Sequence, residues 1–168
     1  STTLRSPLVS QLLSQITQEI CAGEIEQAAG RYDFEMSLEA YERIAMAKTG
    51  ALYGAACELG FRYPSGSEFD GAEMRSFGRE IGLAFQIVDD LLDYGGTDVI
   101  GKNTGDDFRE RKLTLPVIRA IAAADADERA FWDRTIGRGR QDDGDFDRAM
   151  AILTKHGSLH ATRDTALE

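Results

Sequence analysis

Between Gly82 and Gly96 the chain reads GLAFQIVDDLLDYGG, which sets three aspartates in the middle of an otherwise apolar run. On a helical projection Gly82, Gln86, Asp89, Asp90 and Asp93 fall within an arc of roughly 100°. Ile81, Leu83, Ala84, Phe85, Ile87, Val88, Leu91 and Leu92 cover most of the remaining circumference. A helix that is apolar nearly all round has to be enclosed by other helices, so its narrow polar strip faces a slot of water or an internal cavity. Ionised carboxylates in such a place need a positive partner. Spaced i, i+1 and i+4, they also repel one another, and a multivalent oxygen-seeking cation such as Mg²⁺ relieves that repulsion directly. Mg²⁺ takes only one or two protein carboxylates and completes its shell with water and phosphate oxygens, so the strip points to a phosphorylated substrate. A solvated acidic stripe is the alternative reading of the same pattern.

The rest of the sequence supports a helical enclosure. Apolar residues recur at the helical period throughout, and alternating β patterns are almost absent, which predicts an all-α fold. A first helix spans about residues 8–29. A second runs from Ser37, a suitable N-cap, to Gly60, a suitable stop. A third spans about Glu68 to Tyr94 and carries the aspartates. The segment GGTDVIGKNTGDDFRERK follows as a connection, and a helix then begins near Thr114, with Pro116 suited to its first turn. Shorter helices are expected near 126–136, 143–155 and 157–167, with GRGRQDDGDFD as a surface connection. A chain of 168 residues with 42% hydrophobic content is the size of a single domain with a core, so residues 1–168 are read as one helical domain.

Charge and cysteine usage exclude several classes. Twenty-nine acidic residues against 19 Lys and Arg give a formal net charge of -10, which disfavours a nonspecific grip on nucleic-acid phosphate. Cys21 and Cys57 lie inside helical stretches without metal-ligand spacing and read as small core residues of a protein kept in a reducing cytoplasm. No run approaches the roughly 18 apolar residues of a membrane span, and STTLRSPLVSQLLSQ lacks the layout of a signal peptide.

An acidic chain that handles diphosphate must do so through local cations. Lys48 and Thr49 sit among Ala45, Ala47, Gly50, Ala51, Gly54 and Ala55, small residues that let a helix or a ligand approach closely. Lys102 lies just after the aspartate helix. RERK at 109–112 reads as a solvated charge run. The stretch GTDVIGKN nearly spells a phosphate loop, but it follows a helix instead of a strand and has Asn103 where the Mg²⁺ hydroxyl belongs. His156 and His160 are spaced i, i+4 with no third ligand nearby, and exposure is expected of both.

Taken together, these segments resemble the trans-isoprenyl diphosphate synthases, or polyprenyl synthetases. FQIVDDLLD, from Phe85 to Asp93, is similar to their second aspartate-rich motif, and Lys48-Thr49 to their helical KT pair. GKNTGDDFRERKLTLP, from Gly101 to Pro116, resembles the segment that follows that motif, with Asn103 for a usual Pro and Arg111 for a frequent Gly. GEIEQ, from Gly23 to Gln27, also fits.

The resemblance implies antiparallel helices round a central cavity in a usually homodimeric, Mg²⁺-dependent prenyltransferase that joins an allylic isoprenyl diphosphate to isopentenyl diphosphate. Asp89, Asp90 and Asp93 would form the metal-bearing wall. Lys48, Thr49, Gln86 and Lys102 would hold the allylic diphosphate, with Asp89, Lys48 and Lys102 carrying the catalytic step. Phe85 would lie near the isopentenyl group, and Lys112 matches a recurrent family lysine. The family's first DDxxD motif and the arginine pair after it do not occur in these residues, so the chain is expected to be the second half of a synthase, inactive by itself. A non-catalytic subunit of a heteromeric synthase and a class I terpene cyclase are the alternatives.

Overall fold

The computed structural model describes residues 7–30, 35–65, 71–95 and 104–168. All regular structure among them is helical: α1 (Pro7–Gly30), α2 (Leu38–Ala45), a π-helical turn (Met46–Gly50), α3 (Ala51–Ser65), α4 (Ala72–Gly95), α5 (Asp106–Arg109), α6 (Leu115–Ala123), α7 (Ala126–Trp132), a second π-helical turn (Asp133–Gly137), α8 (Asp145–Lys155) and α9 (Ser158–Thr165). The helical period therefore predicted the class correctly. The chain divides into two compact units, Ser1–Gln27 with Glu42–Gln86, and Ala28–Tyr41 with Ile87–Glu168.

In the first unit Leu12 and Ile16 of α1 pack against Ala51 and Ala55 of α3, with Ile20 and Leu59 beside them. What fixes α3 against α4 is the absence of side chains. A Cβ at Gly82 would lie 2.7 Å from the Gly50 Cα, and one at Gly78 would lie 2.6 Å from the Tyr53 carbonyl oxygen. Gly50 and Gly54, four apart, thus face Gly78 and Gly82, also four apart, and the two backbones touch directly. Gly60 does not end a helix, contrary to the sequence reading. It lies inside α3, and a mid-helix glycine costs only about 1 kcal/mol, which continued hydrogen bonding and packing outweigh. Ser37 does cap: its Oγ accepts the Ala40 N–H at 3.2 Å. Cys21 is exposed and Cys57 only half-buried, so neither is the core residue expected.

The second unit closes over an aromatic core in which Phe108, Phe131 and Trp132 pack ring against ring, flanked by Tyr94, Val117 and Leu153. Helix α7 opens with a capping box: Asp125 accepts the Glu128 N–H at 3.0 Å and Glu128 accepts the Asp125 N–H at 3.2 Å. Glu128 is buried and also meets Lys155 and His156, each at 2.7 Å, so His156 is part of a packed polar cluster; His160 alone of the pair is exposed. The stretch GRGRQDDGDFD is not merely a surface connection. Asp145 within it is buried and gripped by both terminal nitrogens of Arg134 at 2.7 and 2.8 Å, which holds its carboxyl below the usual carboxylate range. Arg111 adopts a left-handed backbone, with φ of 62°, and its guanidinium donates to the Ile136 and Gly137 carbonyl oxygens at 2.8 and 2.7 Å. Glycine is the ordinary occupant of such a conformation. Here two charge-assisted hydrogen bonds offset the strain.

Candidate active site

The acidic end of α4 lies in the second unit, and its three aspartates have different surroundings. Asp90 is 4% exposed. Its Oδ2 accepts the Tyr41 hydroxyl at 2.7 Å, with the Leu115 N–H at 3.4 Å. Asp93 is 6% exposed and meets the start of α5: its Oδ1 accepts the Asp106 N–H at 3.2 Å and its Oδ2 the Asp107 N–H at 3.1 Å. The Gly105 N–H bonds the Asp93 carbonyl oxygen at 2.8 Å, so the chain returning to α5 is tied twice to one residue. Free N–H groups at a helix start are suited to a carboxylate. Even so, burial pushes the Asp93 carboxyl above its ordinary range, the Asp107 charge adds to the rise, and the two N–H groups only partly oppose it. Asp89 is half-buried.

No periodic pattern marks α5, whose four residues lie in what reads as a connection. Its signal, visible only in retrospect, is Gly105 followed by two acidic residues and a buried Phe108. Gly105 has φ of 86°, and a Cβ there would lie 2.5 Å from the Phe146 ring. Lys112 is 46% exposed and pairs with Asp107 at 3.0 Å and Glu110 at 2.8 Å. Lys102 lies outside the described residues.

The polar residues of the first unit gather at the first π-helical turn. Lys48 Nζ pairs with Glu24 at 2.9 Å and also donates to the Gln27 Oε1, so the GEIEQ segment of α1 meets the KT pair. Thr49 Oγ1 donates to the Gln86 Oε1 at 2.9 Å. Lys48 is 25% exposed, so it is not a freely solvated surface lysine. The small residues round it admit α1: a Cβ at Gly23 would lie 2.8 Å from Ala47 Cβ and 2.9 Å from Lys48 Cγ. Phe85 packs against Tyr53 with the rings tilted by 34° and their centroids 5.6 Å apart, and it is 55% exposed. With Phe77 and Ile81 it forms an exposed apolar face of α4, so the helix is not enclosed all round by the described residues.

Among the described residues no three His, Cys, Asp or Glu side chains gather tightly enough to form a metal cage. The donor set nevertheless fits a hard cation. Mg²⁺ uses one or two protein carboxylates and takes the rest of its shell from water and phosphate. Asp89 with the buried Asp90 and Asp93 can supply that number.

The sequence profile of the polyprenyl synthetase family matches residues 1–153. The chain belongs to the polyprenyl synthetase family. It is 33% identical over 166 residues to the octaprenyl diphosphate synthase of Haemophilus influenzae, covering 98% of this chain and 50% of that protein. The decaprenyl diphosphate synthase structure from Rhodobacter capsulatus superposes with a TM-score of 0.87 at 48% identity, over 96% of this chain and 50% of that one. A polyprenyl synthase from Caulobacter crescentus, complexed with calcium and isoprenyl diphosphate, superposes with a TM-score of 0.88 at 41% identity, again over 96% and 50%. The fold is thus the all-α isoprenoid synthase type. The chain spans about half the length of these relatives. No helix among the described residues is long and apolar enough to cross a membrane.

Proposed function

We propose that this chain is the second half of a trans-polyprenyl diphosphate synthase, a cytoplasmic homodimeric prenyltransferase that condenses an allylic isoprenyl diphosphate with isopentenyl diphosphate. The observation that carries the reading is the acidic end of α4, where half-buried Asp89 stands on the same helix as the buried Asp90 and Asp93. Asp89, Asp90 and Asp93 hold Mg²⁺. When bound, the ion neutralises the negative charge that grows on the departing diphosphate.

The chain's own residues do the rest. Lys48, Thr49, Gln86 and Lys102 hold the allylic diphosphate, and Lys48 exchanges its Glu24 and Gln27 partners for the more highly charged ligand. Breaking the allylic C–O bond leaves a carbocation and a diphosphate anion. Positive charge from Lys48 and Lys102 stabilises that anion as it forms. The isopentenyl double bond attacks the cation, a proton leaves the new cation, and the lengthened diphosphate and free diphosphate are the products. The exposed face of Phe85 offers an apolar surface to the isopentenyl group, and apolar walls keep out the water that would quench the cation. Lys112, paired with Asp107 and Glu110, completes the set of substrate-binding residues.

The test is Asp89→Ala in the whole protein, assayed with farnesyl diphosphate and isopentenyl diphosphate beside circular dichroism. Turnover should fall by orders of magnitude with helix content unchanged. Near-normal turnover would refute the assignment.

A further inference from the structure

We infer that Tyr41 is a positioning residue for the aspartate group: its hydroxyl holds the Asp90 carboxylate in the one orientation from which that residue serves a bound cation. The inference rests on the function proposed above. Tyr41, in the first turn of α2, is 6% exposed, and its hydroxyl reaches across 49 positions of sequence to Asp90 Oδ2 at 2.7 Å. At the same oxygen stands the N–H of Leu115, 3.4 Å away. Leu115 is the first residue of α6, where an N–H has no acceptor within its own helix.

A short bond from a phenol and a long one from the backbone thus converge on one carboxylate oxygen. An aspartate carboxylate turns easily about its last torsion, so its plane is set by the donors around it. A phenol donating to a carboxylate is the stronger, charge-assisted kind of hydrogen bond, whereas a bond at 3.4 Å orients weakly. Tyr41 therefore orients Oδ2 more strongly than the Leu115 N–H does. A tyrosine that served only to fill the core would need no carboxylate partner, since a carbonyl oxygen or water satisfies a phenol as well. Partners that hold metal-bearing carboxylates typically govern metal affinity by about 10- to 100-fold.

Tyr41→Phe removes the hydroxyl and keeps the ring. Mn²⁺, whose free ion is read by electron paramagnetic resonance, is titrated into the whole protein with inorganic diphosphate present. The apparent dissociation constant should rise about tenfold in Tyr41→Phe while the circular dichroism stays that of the parent. Combining the change with Asp90→Asn shows whether the effect runs through Asp90. If it does, Tyr41→Phe weakens Mn²⁺ no further in that background. An affinity within about twofold of the parent, or a tenfold loss that persists beside Asp90→Asn, would overturn the inference and leave the function standing. Absence of Mn²⁺ binding by the parent would overturn both. Should Tyr41→Phe not fold, Asp90→Glu takes its place, because it moves the carboxylate one methylene past the phenol; parental Mn²⁺ affinity in that variant would overturn the inference as well.

Discussion

Gly82→Ala tests whether the backbone contact between α3 and α4 sets the geometry at Thr49 and Gln86. The new Cβ would stand 2.7 Å from the Gly50 Cα, 3.1 Å from the Gly50 nitrogen and 3.2 Å from the Tyr53 Cβ. Two of these three are backbone atoms, so no flexible side chain can move aside. The helices must part by about 0.7 Å to restore an ordinary 3.4 Å contact. Overpacking of this kind costs about 2–3 kcal/mol, and the better helix propensity of alanine returns about 1 kcal/mol. The net loss is about 1–2 kcal/mol, a fall of roughly 2–8 °C in melting temperature for a chain of this size. The Thr49 to Gln86 hydrogen bond, now 2.9 Å, lengthens with the helices. Gly60→Ala is the control. It lies inside α3 with nothing within 4 Å of the added carbon, so the same substitution should stabilise by about 0.5–1 kcal/mol. Urea and thermal unfolding of both variants measure the contrast. Equal or higher stability in Gly82→Ala would refute the close-contact argument, and equal shifts in the two variants would reduce both effects to helix propensity.

Three further outcomes are expected. Lys48→Ala should raise the KM for the allylic diphosphate and lower kcat, whereas Lys155→Ala, which loses only Asp125 and Glu128, should lower the melting temperature slightly and leave the kinetics alone; identical kinetics in the two variants would refute the role of Lys48. Arg111→Ala and Arg111→Gly should both be less stable than the parent for want of the two carbonyl partners, with the glycine variant about 1 kcal/mol the better because φ there is 62°; equal unfolding midpoints would refute the backbone argument. The folded value of the Asp145 carboxyl is depressed by Arg134, so the stability it contributes is fully present above its unfolded value of about 3.9 and is lost as pH falls through the folded value. The gap in unfolding free energy between the parent and Arg134→Met, followed by denaturant titration across pH, should therefore be widest at neutral pH and narrow in acid, and a gap independent of pH would refute the pairing.

Helix class and several ends could be read in the sequence because they depend on a few adjacent residues. The period of apolar positions locates α1 and α4, the Ser37 hydroxyl caps its own helix, and Pro116 sits in the first turn of α6 where a missing N–H costs nothing. The polar strip of α4 and its likeness to a family motif needed only spacing along one helix. Tertiary structure decided what each polar group meets. Asp90 finds Tyr41 across 49 positions, Thr49 finds Gln86 across 37, and Lys48 finds Gln27 across 21. Helix α5 exists because Asp93 receives its first N–H groups and Phe108 is buried in the aromatic core, not because four residues prefer a helix. Propensity and periodicity are properties of neighbouring residues, and a sequence displays them openly. Which carboxylate faces a phenol, and which a helix start, is set by how helices pack once most of the apolar surface is buried, and spacing along the chain carries little of that information.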